Sequence, residues 1–130
     1  MAFPGLGHVA VTVTDLARST EFYDKLFGAK AVLDEDADVF HHAVWMLDGG
    51  QLFGIHTHPK ADNSVPFSEL RPGLDHVGFA VANRAALEEW AKKLDDLGIA
   101  YSPIKDAPYG SGLSFRDPDN IALEFFAPPG

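Results

Sequence analysis

Four side chains that can bind a metal occur at corresponding places in two halves of the sequence. His8 and His76 each open a short apolar run, whereas His56 and Glu124 each lie in a later one. Three imidazoles and a carboxylate suit a divalent transition metal such as Zn, Ni, Co, Mn or Fe. A carboxylate in such a set can also accept a proton, so Glu124 is the candidate catalytic residue. The sequence therefore raises the hypothesis of a metal centre, provided that the fold brings these positions together.

An internal repeat relates these positions to one another. Residues 5–26 align with residues 73–94 at an offset of 68, and nine of the 22 aligned positions are identical. GLGHVAVTV opens the first copy and GLDHVGFAV opens the second, and both keep the histidine. At the same offset His56 falls on Glu124. A match of this length indicates a duplicated module.

Each copy predicts a strand followed by a helix. Alternating apolar residues favour a half-buried strand at 8–13 and again at 76–81. Asp15 and Asn83 follow these strands at positions where a helix needs an N-cap, because their side chains can accept a hydrogen bond from a free backbone N–H. The two copies therefore begin with the same βα unit.

Three short β-like runs follow each helix. They read AKAVLDE, FHHAVWML and QLFGIHTH in the first copy, and IAYSPIK, GLSFRD and IALEFF in the second. Gly28 and Gly98 precede them as left-handed helix stops. Each copy is thus predicted to be βαβββ, within a single domain of residues 1–130. The predicted boundaries are residues 5–60 for the first module, 61–72 for the connector and 73–127 for the second module.

Two such modules predict an α+β fold in which one curved mixed sheet carries its helices outside. Packing the modules about a pseudo-symmetry axis would bring equivalent strand positions together. We therefore expect His8, His56, His76 and Glu124 to converge on one ion. Glu124 supports this expectation most strongly, because it lies in the apolar run 121–126, where an unpaired carboxylate is costly to bury.

Three further histidines lie close to the candidate ligands in the sequence. His58 shares the face of His56, so a shift of the alignment would make His58 the ligand instead. Pro59 indicates that the strand ends there, which favours a place for His58 at the rim of the cavity. His41 and His42 are adjacent and must point to opposite faces of their strand. We expect surface or packing roles for them, and the alternative is that one of them lines the cavity.

Composition excludes several classes of function. The chain has no cysteine, which rules out disulfides, thiolate zinc sites and cysteine nucleophiles. A net charge of −9 argues against nucleic acid or an anionic membrane as a partner, since both need a basic face. No apolar run is long enough to span a membrane and no targeting segment is recognisable, so we expect a cytoplasmic protein.

The whole chain resembles the vicinal oxygen chelate superfamily, which includes glyoxalase I, fosfomycin and bleomycin resistance proteins, extradiol dioxygenases and methylmalonyl-CoA epimerase. GHVAVTVTDLARSTEFYDKLFGAK and DHVGFAV are similar to the openings of the family's two modules. LSFRDPDNIALEFF is similar to its closing hairpin and is the most specific stretch. The resemblance implies paired βαβββ modules that form a cup-shaped cavity, commonly in a homodimer.

Carried over residue by residue, the resemblance gives His8 the first metal position, His76 the third and Glu124 the last. The second position, often Glu, Gln or His in the family, has two alternatives here. The internal repeat gives it to His56, whereas the family's common L-E-L pattern, laid on FGI, gives it to Gly54. Three ligands would suffice, because two histidines and one carboxylate occur in the dioxygenase and fosfomycin branches.

The resemblance implies an enzyme that chelates two neighbouring oxygens of a small substrate on a divalent metal and stabilises an enediolate or another oxyanion. Isomerase, epimerase, oxygenase and thiol transferase reactions all occur on this fold, which does not choose among them. The alternative is a bleomycin-resistance-type protein that binds a drug without catalysis. The expected substrate-binding side chains are Trp45, Phe53, His58, Tyr109, Ser111, Phe115 and Arg116.

Overall fold

A computed structural model describes residues 1–37 and 40–130. The chain forms two compact units, Met1–Val65 and Pro66–Gly130, and the division falls inside the predicted connector. Each unit contains one α-helix and one four-stranded mixed sheet. The α+β class and the tandem βαβββ order are therefore confirmed, and backbone hydrogen bonding divides the predicted sheet into two.

The first unit has its strands in the order β1-β4-β3-β2. Strands β1 and β4 are parallel, and the other two pairings are antiparallel. Its elements are β1 (His8–Thr12), α1 (Leu16–Phe27), β2 (Leu33–Ala37), β3 (Phe40–Met46) and β4 (Leu52–Thr57).

The second unit repeats this topology with the strand order β5-β8-β7-β6. Its elements are β5 (Val77–Ala80), α2 (Arg84–Asp96), β6 (Lys105–Ala107), β7 (Gly110–Arg116) and β8 (Ala122–Ala127). The strand predicted over IAYSPIK is wrong in its position, since Tyr101 forms an isolated bridge to Phe115 and only the last residue of this run, Lys105, belongs to a strand. Pro103 lacks an N–H group and interrupts the ladder at this point, so β6 begins two residues later.

Both helices begin and end as the sequence predicts. Asp15 and Asn83 each accept a hydrogen bond from the backbone N–H three residues on, at 3.1 and 3.0 Å. Gly28 and Gly98 take positive φ angles of 67° and 71°, in the left-handed region. These four residues fix the length of the helices, and thereby the point at which each chain returns to its sheet.

The helix of each unit covers one face of its sheet with aromatic side chains. In the first unit the ring of Tyr23 on α1 lies 5.6 Å from that of Trp45 and 4.9 Å from that of Phe53. In the second, Trp90 on α2 stacks on Phe125 with ring centroids 4.1 Å apart. Among the residues that the structure describes, the opposite face of each sheet carries no helix of its own unit, and we call it the open face.

Candidate functional site

Glu124 lies on the open face of the second unit. Its strand neighbours Leu123 and Phe125 are buried against the helix side, with 1% and 2% of their surface exposed. Residues two apart on a strand share a face, so Ala122, Glu124 and Phe126 point the other way, and all three are half-buried. The alternation predicted from the sequence for this strand is therefore confirmed.

The register of the sheet sets where Glu124 stands relative to the start of β5. Strand β8 runs between β5 and β7, and Glu124 pairs with Gly78 on one side and with Ser114 on the other. His76 directly precedes β5 and stands two residues before Gly78, so a continued strand alternation would give it the face of Glu124. Along the chain, His76 is therefore offset by two residues from the strand partner of Glu124.

The carboxylate of Glu124 occupies a space that two glycines leave open. A methyl group added to Gly112 would lie 3.1 Å from Oε2 of Glu124, and one added to Gly78 would lie 4.0 Å from Oε1. Within residues 1–37 and 40–130 this carboxylate makes no hydrogen bond or ion pair. A half-buried carboxylate without a protein partner favours a ligand that supplies positive charge.

His76 is oriented by its neighbour in the chain. Its Nδ1 atom lies 2.7 Å from Oδ1 of Asp75, and 47% of the His76 side chain is exposed. In the tautomer that donates from Nδ1 to this carboxylate, Nε2 keeps its lone pair for a ligand. A carboxylate bound to the far nitrogen is the usual support of a metal-binding histidine.

The register corrects the prediction that His56 is equivalent to Glu124. In the second unit Gly78 pairs with Glu124, whereas in the first unit Ala10, which corresponds to Gly78 at the offset of 68, pairs with Gly54. His56 lies two residues farther along the same face. The position of Glu124 is therefore taken in the first unit by Gly54, as the alternative alignment to L-E-L predicted.

The neighbouring strand gives the same correction independently. Val44 pairs with Gly54 in the first unit, and Ser114 pairs with Glu124 in the second. Both comparisons set the offset of the later strands at 70, since 114 − 44 and 124 − 54 are both 70. The second copy has two additional residues between its first strand and its last two, and these shift the register without changing the face.

Gly54 leaves the second ligand position without a donor atom. Of the four predicted ligands, His8, His76 and Glu124 remain as candidates. A methyl group on Gly54 would lie 3.6 Å from the Val44 side chain and 3.8 Å from that of Ala10, which are ordinary contacts. Packing therefore does not exclude an alanine at this position.

His56 belongs instead to a group of four rings, Phe40, His42, His56 and His58, which we call the imidazole cluster. Phe40 and His56 stack with centroids 4.7 Å apart, and His58 stacks on His56 at 6.0 Å. His42 meets the ring of His56 edge-on at 5.1 Å. Burial lowers the pKa of His56 below the ordinary value of an imidazole, and the charges of protonated His42 and His58 lower it further.

Three of the expected substrate-binding aromatics lie in the cores instead. Trp45, Phe53 and Phe115 have only 2%, 1% and 4% of their surface exposed. Their places in the strand alternation put them on the helix side, where Trp45 also donates a hydrogen bond to Asp24 at 3.0 Å. The prediction that they bind substrate is corrected to a packing role, because the helices cover that face.

Ser111 is also on the helix side of its sheet. Its hydroxyl donates to Asp106 at 2.6 Å, and Asp106 in turn binds Arg84 on α2 at 2.8 Å. This network joins the helix to the edge of the sheet. We therefore assign Ser111 to the attachment of α2 and not to a substrate.

The remaining substrate candidates lie where a ligand can reach them. Tyr109 is 74% exposed and its ring stacks over that of Phe126 at 6.3 Å. Arg116 is on the open face, where it binds Glu69 at 2.7 Å and the backbone carbonyl of Asn120 at 3.1 Å. His58, the third of these candidates, is part of the imidazole cluster.

Ser114 is a candidate that the sequence interpretation missed. It is exposed on the open face and stands directly opposite Glu124 on the neighbouring strand. The turn DPDN could have predicted this pairing. Arg116 and Ala122 are the last paired residues before the turn, and two residues farther from it on each strand stand Ser114 and Glu124. Its hydroxyl can donate to the carboxylate or to a bound oxygen.

No three histidine, aspartate or glutamate side chains in the described part of the chain are grouped so that they could hold a metal ion. His76 and Glu124 lie in the second unit, and His8 lies in the first. In the same part of the chain, no helix is long and apolar enough to cross a membrane.

Comparisons with known proteins agree with the fold and the duplicated modules. The family model of the Glyoxalase/Bleomycin resistance protein/Dioxygenase superfamily matches residues 5–125. A solved glyoxylase/bleomycin resistance protein/dioxygenase domain from Frankia sp. EAN1pec is 34% identical, with a TM-score of 0.87, over 98% of this chain and 94% of that one.

A metallothiol transferase and a fosfomycin resistance protein are less similar to this chain. The metallothiol transferase FosB of Bacillus licheniformis is 26% identical over 92% of this chain and 73% of its own length. A mutant of the fosfomycin resistance protein FosX of Listeria monocytogenes, solved with Mn(II) and dihydroxypropylphosphonic acid, is 18% identical with a TM-score of 0.70. The match covers 96% of this chain and 93% of that one. At this identity the likeness concerns the fold alone.

Proposed function

Because the chain belongs to the Glyoxalase/Bleomycin resistance protein/Dioxygenase superfamily, we propose that it is a divalent-metal-dependent enzyme that acts on a small oxygenated molecule. The observation that carries the proposal is the carboxylate of Glu124, which has no protein partner in the described residues and lies between two strand glycines.

The donor set fits a borderline divalent ion. His76 offers Nε2 while Asp75 holds its other nitrogen, and Glu124 offers an unoccupied carboxylate on the same face. We propose His8 as the third ligand, because the repeat gives it the same place in its unit as His76. Two imidazoles and one carboxylate leave coordination positions for two oxygens of a substrate.

The residues around the carboxylate would have different roles in the reaction. A bound ion supplies a Lewis acid that stabilises negative charge on neighbouring substrate oxygens. Glu124 is placed to accept a proton at its carboxylate, and the exposed hydroxyl of Ser114 is placed to donate a hydrogen bond to a substrate oxygen. Tyr109 offers an exposed ring to an apolar part of the substrate.

We further propose that the protein is a cytoplasmic homodimer. Light scattering would measure its mass in solution and test the dimer.

Metal content of untagged protein tests the proposal. We expect about one equivalent of a transition metal after exposure to Zn, Ni, Co or Mn, or to Fe under anaerobic conditions, measured by elemental analysis. His8→Ala and His76→Ala should each lose it, whereas His41→Ala should keep it, because His41 is bound to Asp34 at 2.8 Å on the helix side. Absence of metal in the wild type would contradict the proposal and favour the drug-binding alternative.

The loaded protein would then be screened for turnover. Suitable substrates are 2-oxo aldehydes with a thiol, vicinal diols and catechols, since each offers two neighbouring oxygens. Fosfomycin with a thiol belongs in the screen because the relative FosB is named a metallothiol transferase. The variant Glu124→Gln keeps the size of the side chain but cannot accept a proton, and it should be inactive on any substrate found.

The two glycines beside Glu124 give a matched pair of variants. We expect Gly112→Ala to weaken metal binding roughly tenfold, because its methyl group at 3.1 Å from Oε2 displaces the carboxylate. Gly78→Ala should change the Kd less than about twofold, since 4.0 Å is an ordinary contact. Calorimetric titration with Zn²⁺ measures both, and equal affinities in the two variants would contradict the placement of the carboxylate.

A further inference from the structure

The imidazole cluster of the first unit has no part in the proposed metal centre. Phe40 and His56 each contact the other three rings, with centroid distances between 4.7 and 6.0 Å. His42 and His56 are directly paired across β3 and β4, and His58 follows His56 on the same side. Three imidazoles are thus gathered at one end of the open face.

The second unit is an internal control for what the fold itself requires. At the offset of 70, the pair His42 and His56 corresponds to Gly112 and Phe126, which are likewise directly paired. The same strands, in the same topology, are therefore built without a single imidazole at these places. Strand pairing therefore does not require histidines at these places, and their chemistry can serve a ligand.

The charges facing the cluster leave room for an anion. Glu35 on β2 binds His42 at 2.9 Å and is the acidic side chain that contacts the cluster in the described residues. Asp34 and Asp36 lie on the other face, where both approach His41. Two of the three imidazoles in the cluster therefore have no carboxylate partner among the residues that the structure describes.

The ring geometry disfavours a metal ion and favours a group that accepts several hydrogen bonds. The planes of Phe40 and His56 differ by 23°, and those of His56 and His58 by 19°. Nearly parallel rings direct their nitrogens side by side, whereas a metal needs them to converge. Every imidazole carries at least one N–H group in either tautomer, so neighbouring ring edges offer donors to one oxyanion.

We propose that the imidazole cluster binds the oxyanion group of a small ligand, that is, a carboxylate, phosphonate or phosphate. His56 and His58 donate hydrogen bonds from their ring edges, and Phe40 holds the stack in place. His42 is fixed by Glu35 and sets the position of His56. None of these residues belongs to the proposed ligand set, so the inference does not depend on the proposed metal centre.

Histidine ring signals in NMR spectra of metal-free protein test this proposal at fixed pH and ionic strength. The probes are inorganic phosphate, methylphosphonate and acetate, with chloride and phenol as controls. We expect saturable shifts at His42, His56 and His58, and none at His41. His56→Phe, which places the residue of the second unit at this position, should fold normally and weaken binding about tenfold.

Matched variants and competing ligands decide the outcome. His58→Phe should also weaken binding about tenfold, while His41→Phe should leave it unchanged because it alters the opposite face. The proposal would be overturned by an equal response to phenol, which would indicate ring stacking alone. Saturation of these signals by Zn²⁺ without any oxyanion response would overturn it in favour of a metal, and no response to any probe would overturn it outright.

Discussion

Glu124→Ala is expected to lower the affinity for a divalent metal at least about a hundredfold. The change removes the only carboxylate of the proposed ligand set. In metal sites, mutation of residues that only support a ligand already lowers metal affinity by up to about a hundredfold. Calorimetric titration with Zn²⁺ and elemental analysis measure the effect. Glu89→Ala is the matched control, because Glu89 is an exposed carboxylate on α2.

The stability of the variant distinguishes a lost ligand from a damaged fold. Glu124 makes no hydrogen bond or ion pair in the described residues, so its removal should leave the unfolding midpoint of the metal-free protein within a few degrees of the wild type. Metal affinity that survived in Glu124→Ala would remove this residue from the site. Affinity lost equally in Glu89→Ala would point to a general effect of charge.

Gly110→Ala is expected to destabilise the protein by about 3 kcal/mol or more, for two separate reasons. Gly110 has a φ of 143°, which side chains of L-residues rarely adopt. An added methyl group would also overlap the backbone carbonyl oxygen of Ala127 and the ring of Phe126. The carbonyl oxygen belongs to the backbone of β8, which is paired with β7, so this overlap cannot be relieved by a rotamer change.

Urea unfolding followed by circular dichroism measures this effect. Gly112→Ala is the control, since Gly112 lies on the same strand and an added methyl there meets only the flexible end of Glu124. We expect less than about 1 kcal/mol for the control. A loss below about 1 kcal/mol in Gly110→Ala would mean that the strand relaxes around the methyl group and that the close approach at Gly110 is not required.

The two glycines of β7 therefore have different purposes. Gly110 is required by the backbone, whereas Gly112 is required by the carboxylate beside it. The ring of Phe126 lies against Gly110 and stacks with the ring of Tyr109. One variant tests how the strand is built, and the other tests how the site is kept open.

The sequence by itself determined the elements and the faces on which the candidate ligands lie. N-caps at Asp15 and Asn83 and the left-handed glycines are local features, since each depends only on residues within one turn. Strand alternation also places Glu124 opposite to Leu123 and Phe125, because side chains of successive residues must point to opposite faces. The repeat then gave His8 and His76 the same place in their units.

Only the tertiary structure decided which residues pair directly across neighbouring strands. A slip of two residues keeps every side chain on its face, so neither alternation nor identity at an offset of 68 could detect that the later strands are offset by 70. Backbone pairing detects it directly and puts Gly54, not His56, at the position of Glu124. The helices then decide which face is covered, and this buries Trp45 and leaves the histidines of the cluster open. Long-range hydrogen bonds and packing set both outcomes, and these contacts join residues that the sequence keeps far apart.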